Sequence, residues 1–143
     1  MNQTTNQTSI NFWIICSLAL IWNLIGVIAY FGQTFMSEEI LSSLSKTEQN
    51  YFLNMPVWVT ASFATAVFTG VFGAISLLLK KKPAVFLFLI SIILILTHQY
   101  YIFFIQSFIK VEGLGLILPL TTVFIGFYLL WFSIKMNKQG VLN

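Results

Sequence analysis

Apolar residues in this chain fall in four long blocks. They run from about Ile10 to Gln33, Val57 to Leu79, Ala84 to Gln106 and Leu114 to Ile134, and none contains Lys, Glu, Asp or Arg. The hydrocarbon core of a bilayer is about 30 Å thick and a helix rises about 1.5 Å per residue, so about 20 apolar residues cross it. Each block is long enough. In lipid every backbone N–H and C=O must be satisfied within the chain, so blocks of this length must be helices. The two-residue alternation of a membrane barrel is absent. The pattern predicts an all-α integral membrane four-helix bundle, a single transmembrane domain over residues 1–143.

The first block reads as a span and not as a cleaved leader: no basic residue precedes it, no small-x-small site follows it, and it is too long. Asn2-Gln-Thr4 and Asn6-Gln-Thr8 match the glycosylation pattern, but two matches in a Thr/Asn/Gln-rich stretch read as coincidence. The longest connection, about Thr34 to Met55, carries helix signals. Ser37 can cap a turn beginning with Glu38 and Glu39, acids well placed against a helix N-terminal dipole. Ser45-Lys-Thr-Glu48 matches a capping box. Ile40, Leu41, Leu44, Tyr51 and Phe52 would lie on the membrane surface or the bundle top, making this a short amphipathic outer segment. It is either a linker or a lid over a cavity. Pro56 fits the first helical position of the second span, and Trp58 suits interface depth.

Composition strengthens the membrane reading. The chain is 58% hydrophobic and 8% charged, against about 25% charged in an ordinary soluble domain. Seven lysines and four glutamates cannot cover a soluble core of this size. That excludes a soluble enzyme, a nucleic-acid binder and a disordered tail. One cysteine, Cys16, excludes an intrachain disulfide or cysteine cluster. Five lysines lie on one side: Lys80, Lys81 and Lys82 between spans two and three, and Lys135 and Lys138 after span four. The other side sets Lys46 and Lys110 against Glu38, Glu39, Glu48 and Glu112. The positive-inside rule then expects both termini and the Lys80–Lys82 turn in the cytoplasm.

Helices in lipid associate through close packing and polar contacts. Ser62, Ala66, Gly70 and Ala74, each four apart, form a small-residue stripe that Thr69 and Gly73 widen. It can face a helix of the same chain or a second protomer. A faint echo, Phe31-Gly-Gln33-Thr-Phe35-Met against Phe104-Ile-Gln106-Ser-Phe108-Ile, reads more as chance than as two duplicated hairpins.

Polar residues within a span are costly unless paired, so they point to sites. Asn23, Gly26, Tyr30 and Gln33 share one helical face in span one. Asn23 can join two helices by a hydrogen bond or bind a hydroxylated solute. Span three holds the densest cluster, Thr97, His98, Gln99, Tyr100 and Tyr101, then Gln106, all in the half away from the lysines. His98 can relay protons or serve as a packing residue; it has no partners at metal-ligand spacing. In span four Pro119 either kinks the helix or marks its start, and Thr122, Gly126 and Ser133 fall near one face. No acidic residue lies within a span, although proton- and sodium-coupled carriers usually use one. Small multidrug exporters depend on a carboxylate in their first helix, where this chain offers Asn23. No catalytic set can be assembled, so no enzyme, cofactor or metal is expected.

The run Trp22-Asn23-Leu-Ile-Gly26-Val-Ile-Ala-Tyr30 followed by Gln33, Met36 and Glu39, with Pro56-Val-Trp58-Val, Phe63-Ala-Thr-Ala-Val-Phe68-Thr-Gly70, Leu77–Lys82 and Trp131-Phe132-Ser133, resembles small four-span bacterial inner-membrane proteins often labelled "sugar transporter". The similarity extends from about Trp13 to Lys135. It implies solute transport in a bacterial inner membrane and assigns no binding residue. The function expected is a carrier or facilitator for a neutral hydroxyl-bearing solute such as a sugar. Its binding residues would be Asn23, Tyr30, Gln33, His98, Gln99, Tyr101 and Gln106. Amides and phenols suit a polyol, since they exchange hydrogen bonds without burying a charge. Four helices leave little room for a pore, so a homodimer is expected. The alternative is a non-transporting accessory protein that binds a partner membrane protein through its helices.

Overall fold

A computed structural model describes residues 9–143. The described residues are helical apart from short connections. In order they form α1 (Ile10–Thr34), α2 (Glu38–Ser43), α3 (Lys46–Leu53), α4 (Val57–Leu78), α5 (Pro83–Tyr100) and α6 (Ile117–Lys138). A π-helical turn, Tyr101–Ile105, extends α5, and a 3₁₀ turn, Gly113–Leu116, leads into α6. Four of these segments are long and apolar enough to cross a membrane: Ile10–Thr34, Val57–Leu78, Pro83–Ile105 and Gly113–Lys138. Large apolar side chains lie exposed along all four, among them Ile14, Ile28, Phe72, Phe86 and Phe124. Such surface has no place in water and meets lipid, so this is a multi-pass membrane protein. Asn2 and Asn6 lie outside the described residues.

The chain folds up and down, with α4 packed on α1 and on α5, and α5 packed on α6. Small residues set these seams. On α4, Ala66, Gly70, Gly73 and Ala74 are buried. A Cβ on Gly73 would stand 3.1 Å from the Phe88 ring of α5, and one on Gly126 of α6 would stand 2.6 Å from Ile92 Cδ1. The stripe is therefore an intrachain seam that lets backbones approach. The apolar core lies toward the lysine-rich end. There Phe12, Cys16 and Ala19 of α1 meet Ala74 and Leu77 of α4, Phe88 of α5, and Phe132 and Met136 of α6.

Two helix ends shape the lysine-rich end. Gly140 has φ 71°; its N–H donates to Asn137 O at 3.1 Å and that of Val141 to Met136 O at 3.0 Å, the double bond of a Schellman cap. The helix thus outruns the apolar block, which stops at Ile134. The same cap ends α4, with Lys80 N–H donating to Leu77 O and Lys81 N–H to Ser76 O. Lys80 takes the left-handed place there with φ 55°, a conformation that costs a non-glycine residue about 1–2 kcal/mol. Residues after α6 hold that turn. Asn143 N–H donates to Lys80 O at 2.7 Å, and Lys82 N–H donates to Asn143 O at 3.1 Å. Leu142 is buried beneath them.

At the opposite end the expected capping signals take effect. Ser37 Oγ accepts from Ile40 N–H, and Ser45 and Glu48 form a complete capping box. The side-chain and then the backbone hydrogen bond from Ser45 hold the Glu48 carboxyl below its ordinary value. A lowered folded value means this contribution is present above the ordinary carboxylate range and is lost as pH falls through the folded value. Amide exchange across α3, corrected for intrinsic rate, should therefore accelerate on acidification. Ser45→Ala should reproduce that acceleration at neutral pH.

Candidate functional site

The seven residues singled out in the sequence do not form one cluster; they divide among three places. Asn23 lies in the seam where α1 crosses α4. Its Nδ2 donates to Ala19 O at 2.7 Å, within its own helix. Its Oδ1 faces Gly70, where a Cβ would overlap it and would also stand 3.3 Å from Ser91 Oγ. Ser91, buried on α5, donates to Ala66 O at 2.8 Å. Gly70 is thus the gap through which a polar residue of α1 and one of α5 approach each other. Beside it, Trp22, Thr122 and Gly126 help to line a space of about 10 Å³, about one water probe in size.

Two helical turns farther from the lysines, three aromatic rings join α1, α4 and α5. Phe63 lies edge to face with Tyr30 at 6.0 Å and stacks on His98 at 4.8 Å with an interplanar angle of 24°. Tyr30 and His98, far apart in sequence, are thereby linked through one ring. Gln99, the next residue on α5, turns toward α6, and its Nε2 donates to Pro119 O at 3.5 Å. Pro119 lies in the first turn of α6, where its missing N–H costs nothing. It therefore marks the start of that helix. Among the described residues, His98 Nε2 and Gln99 Oε1 are buried without a hydrogen-bond partner. Such atoms cost about 1–3 kcal/mol each, so a tightly packed bundle retains few of them.

The third place is the end of the bundle. The uninterrupted helix expected through Gln106 gives way after Tyr100 to the π turn. Gln106 N–H reaches back five residues to Tyr101 O at 3.0 Å. The wider turn buries Tyr101 against Trp58, ring edge to face at 5.8 Å. Gln106 is spent on its own connection: Nε2 donates to Ile102 O and Ile109 O, and Oε1 accepts from the N–H groups of Phe108 and Ile109. Gln33 likewise serves the outer segment, with Nε2 on Met55 Sδ at 3.0 Å. The two ends compared as a repeat therefore differ: Gln33 lies inside a helix, whereas Gln106 ties a turn. Tyr51 of α3 sits partly buried near Tyr101. Burial, and then Tyr101 as a second contribution, pushes its phenol up to about 12.

Ser91 and Phe63 are the partners that the sequence does not single out. A lone serine in an apolar run and one phenylalanine among fifteen carry no signal until the opposing helices are in place. No group of His, Cys, Asp and Glu able to hold a metal ion occurs among the described residues. In comparisons with known proteins, no family model, no curated protein and no solved structure matches this chain.

Proposed function

We propose that the protein is a small multi-pass carrier or facilitator for a neutral hydroxyl-bearing solute such as a sugar. The lysine-rich end, with both termini, would face the cytoplasm of a bacterial inner membrane. The observation that carries this reading is the adjacent buried pair His98 Nε2 and Gln99 Oε1, each without a partner. A hydroxyl both donates and accepts, so a polyol hydroxyl can satisfy a ring nitrogen or an amide oxygen. No charge needs to be buried in doing so. Tyr30 and Phe63 supply aromatic faces nearby, and Gln33 on α1 donates to Met55 Sδ in the connection between α3 and α4. Asn23, whose Nδ2 donates within its own helix and whose Oδ1 packs against Gly70, serves as a packing residue of the helix seam under this reading.

The test is the melting temperature of the detergent-purified protein across sugars, polyols and amino acids. A solute that binds only the folded state stabilises it by about 2.7 kcal/mol at one hundred times its dissociation constant. A shift for one hydroxylated class, absent in Gln99→Leu, is the expected result. The space beside Asn23, about 10 Å³, favours a second reading. A helix seam whose void holds about one water suits an accessory protein that binds a partner membrane protein through its exposed helix faces. No shift for any solute at high millimolar concentration, together with one dominant cross-linked partner in cells, would select that reading.

A further inference from the structure

A cleft of about 390 Å³ opens at the lysine-rich end between the first turns of α1 and the last turns of α6, away from His98 and Gln99. Ser9, Asn11 and Ile15 line one wall, and Tyr128, Trp131 and Lys135 the other. Its floor is the contact of buried Phe12 with Phe132, 6.1 Å between ring centres. The α6 wall is aromatic and continuous: Tyr128 stacks on Phe132 at 6.2 Å with a 17° interplanar angle and lies 5.9 Å from Trp131. Lys135 Nζ stands over the Trp131 ring, 5.1 Å from its centre, which places the ammonium at the mouth.

Polarity changes along this cleft as it does across a membrane interface. Tyr128 lies seven residues deeper than Lys135, about 10 Å along a helix. That is the distance over which headgroups give way to acyl chains. Charge is one-sided as well. Five lysines gather at this end, and all four glutamates lie at the other. The first turn of α1 contains no acidic residue, so nothing there competes for Lys135. Ile14 and Leu18 of α1 and Phe124 and Phe127 of α6, one turn or so from lining residues of the cleft, are exposed apolar side chains that suit lipid.

We infer that this cleft is a binding site for one anionic phospholipid of the surrounding bilayer. Its phosphate sits at Lys135 beside Ser9 and Asn11, and its glycerol and proximal acyl carbons lie on Tyr128, Trp131 and Ile15. The acyl chains continue along the exposed faces of α1 and α6. The site locks α1 to α6, two helices without an extensive mutual interface.

The test is native mass spectrometry of the full chain in a neutral detergent, titrated with phosphatidylglycerol or with phosphatidylcholine of the same acyl chains. The expected result is a preference of about fivefold or more for phosphatidylglycerol, the size of effect one well-placed lysine gives near an anionic surface. Lys135→Gln should abolish the preference, Lys135→Arg should retain it, and Lys138→Gln, with the same change in charge outside the cleft, should leave it intact. Helicity by circular dichroism separates loss of binding from loss of fold. Equal binding of the two lipids would overturn the inference. So would equal losses in Lys135→Gln and Lys138→Gln, which would show diffuse attraction to the basic end. Displacement of the lipid by millimolar inorganic phosphate would identify a soluble anion as the occupant and overturn it too.

Discussion

Gly70→Ala should lower the melting temperature of the purified protein by the equivalent of about 1–3 kcal/mol, the cost of one methyl group too many in a packed core. Glycine to alanine inside a helix ordinarily stabilises, by about 0.5–1 kcal/mol, so the expected sign is opposite to helix propensity. The reason is local. The new Cβ would overlap Asn23 Oδ1 and stand 3.3 Å from Ser91 Oγ, on two different neighbouring helices. Neither neighbour yields easily. Asn23 is fixed by its bond to Ala19 O and Ser91 by its bond to Ala66 O. Adding Asn23→Ala to Gly70→Ala should recover much of the loss, because it removes the atom that the methyl meets; the two changes should be strongly non-additive. Gly32→Ala is the control, since a Cβ there meets nothing within 4 Å, and it should stabilise slightly. A Gly70→Ala protein as stable as the control would mean that α1 does not seat Asn23 against α4.

His98→Phe should raise the melting temperature by the equivalent of about 1–3 kcal/mol and, under the carrier proposal, abolish solute binding. Phenylalanine keeps the ring stacked on Phe63, 4.8 Å away in the native pair, and removes a buried nitrogen without a partner. Removing a buried polar atom that has no partner recovers its desolvation cost. Stability and activity would thus move in opposite directions, as at sites where a protein retains an unfavourable group for its use. A purely structural histidine would give the first effect and leave uptake unchanged. A fall in melting temperature would show that Nε2 is hydrogen-bonded in the native bundle and would remove the observation on which the proposed site rests.

Apolar length alone determined the spans. Four blocks without charge must become helices in lipid because no other local structure satisfies their backbone, and four such helices are present. The caps of α2 and α3 were equally legible, since a serine side chain answers the nearest free N–H and needs nothing from elsewhere in the chain. The end of the third span was not. Lipophilicity says how far a helix can run, whereas the π turn depends on Tyr101 finding Trp58 and on Gln106 tying the loop that follows. The small-residue stripe was visible in the sequence, but its partner was not. Only the packed helices showed that Gly70 receives Asn23 and Ser91 of the same chain. The polar residues of span three were visible too, yet their engagement depends on neighbours distant in sequence. Gln106 is fully bonded and His98 is not, although both lie on the same stretch. Side-chain polarity is a property of the residue, whereas hydrogen-bond satisfaction is a property of the partners, and only the tertiary structure assigns those.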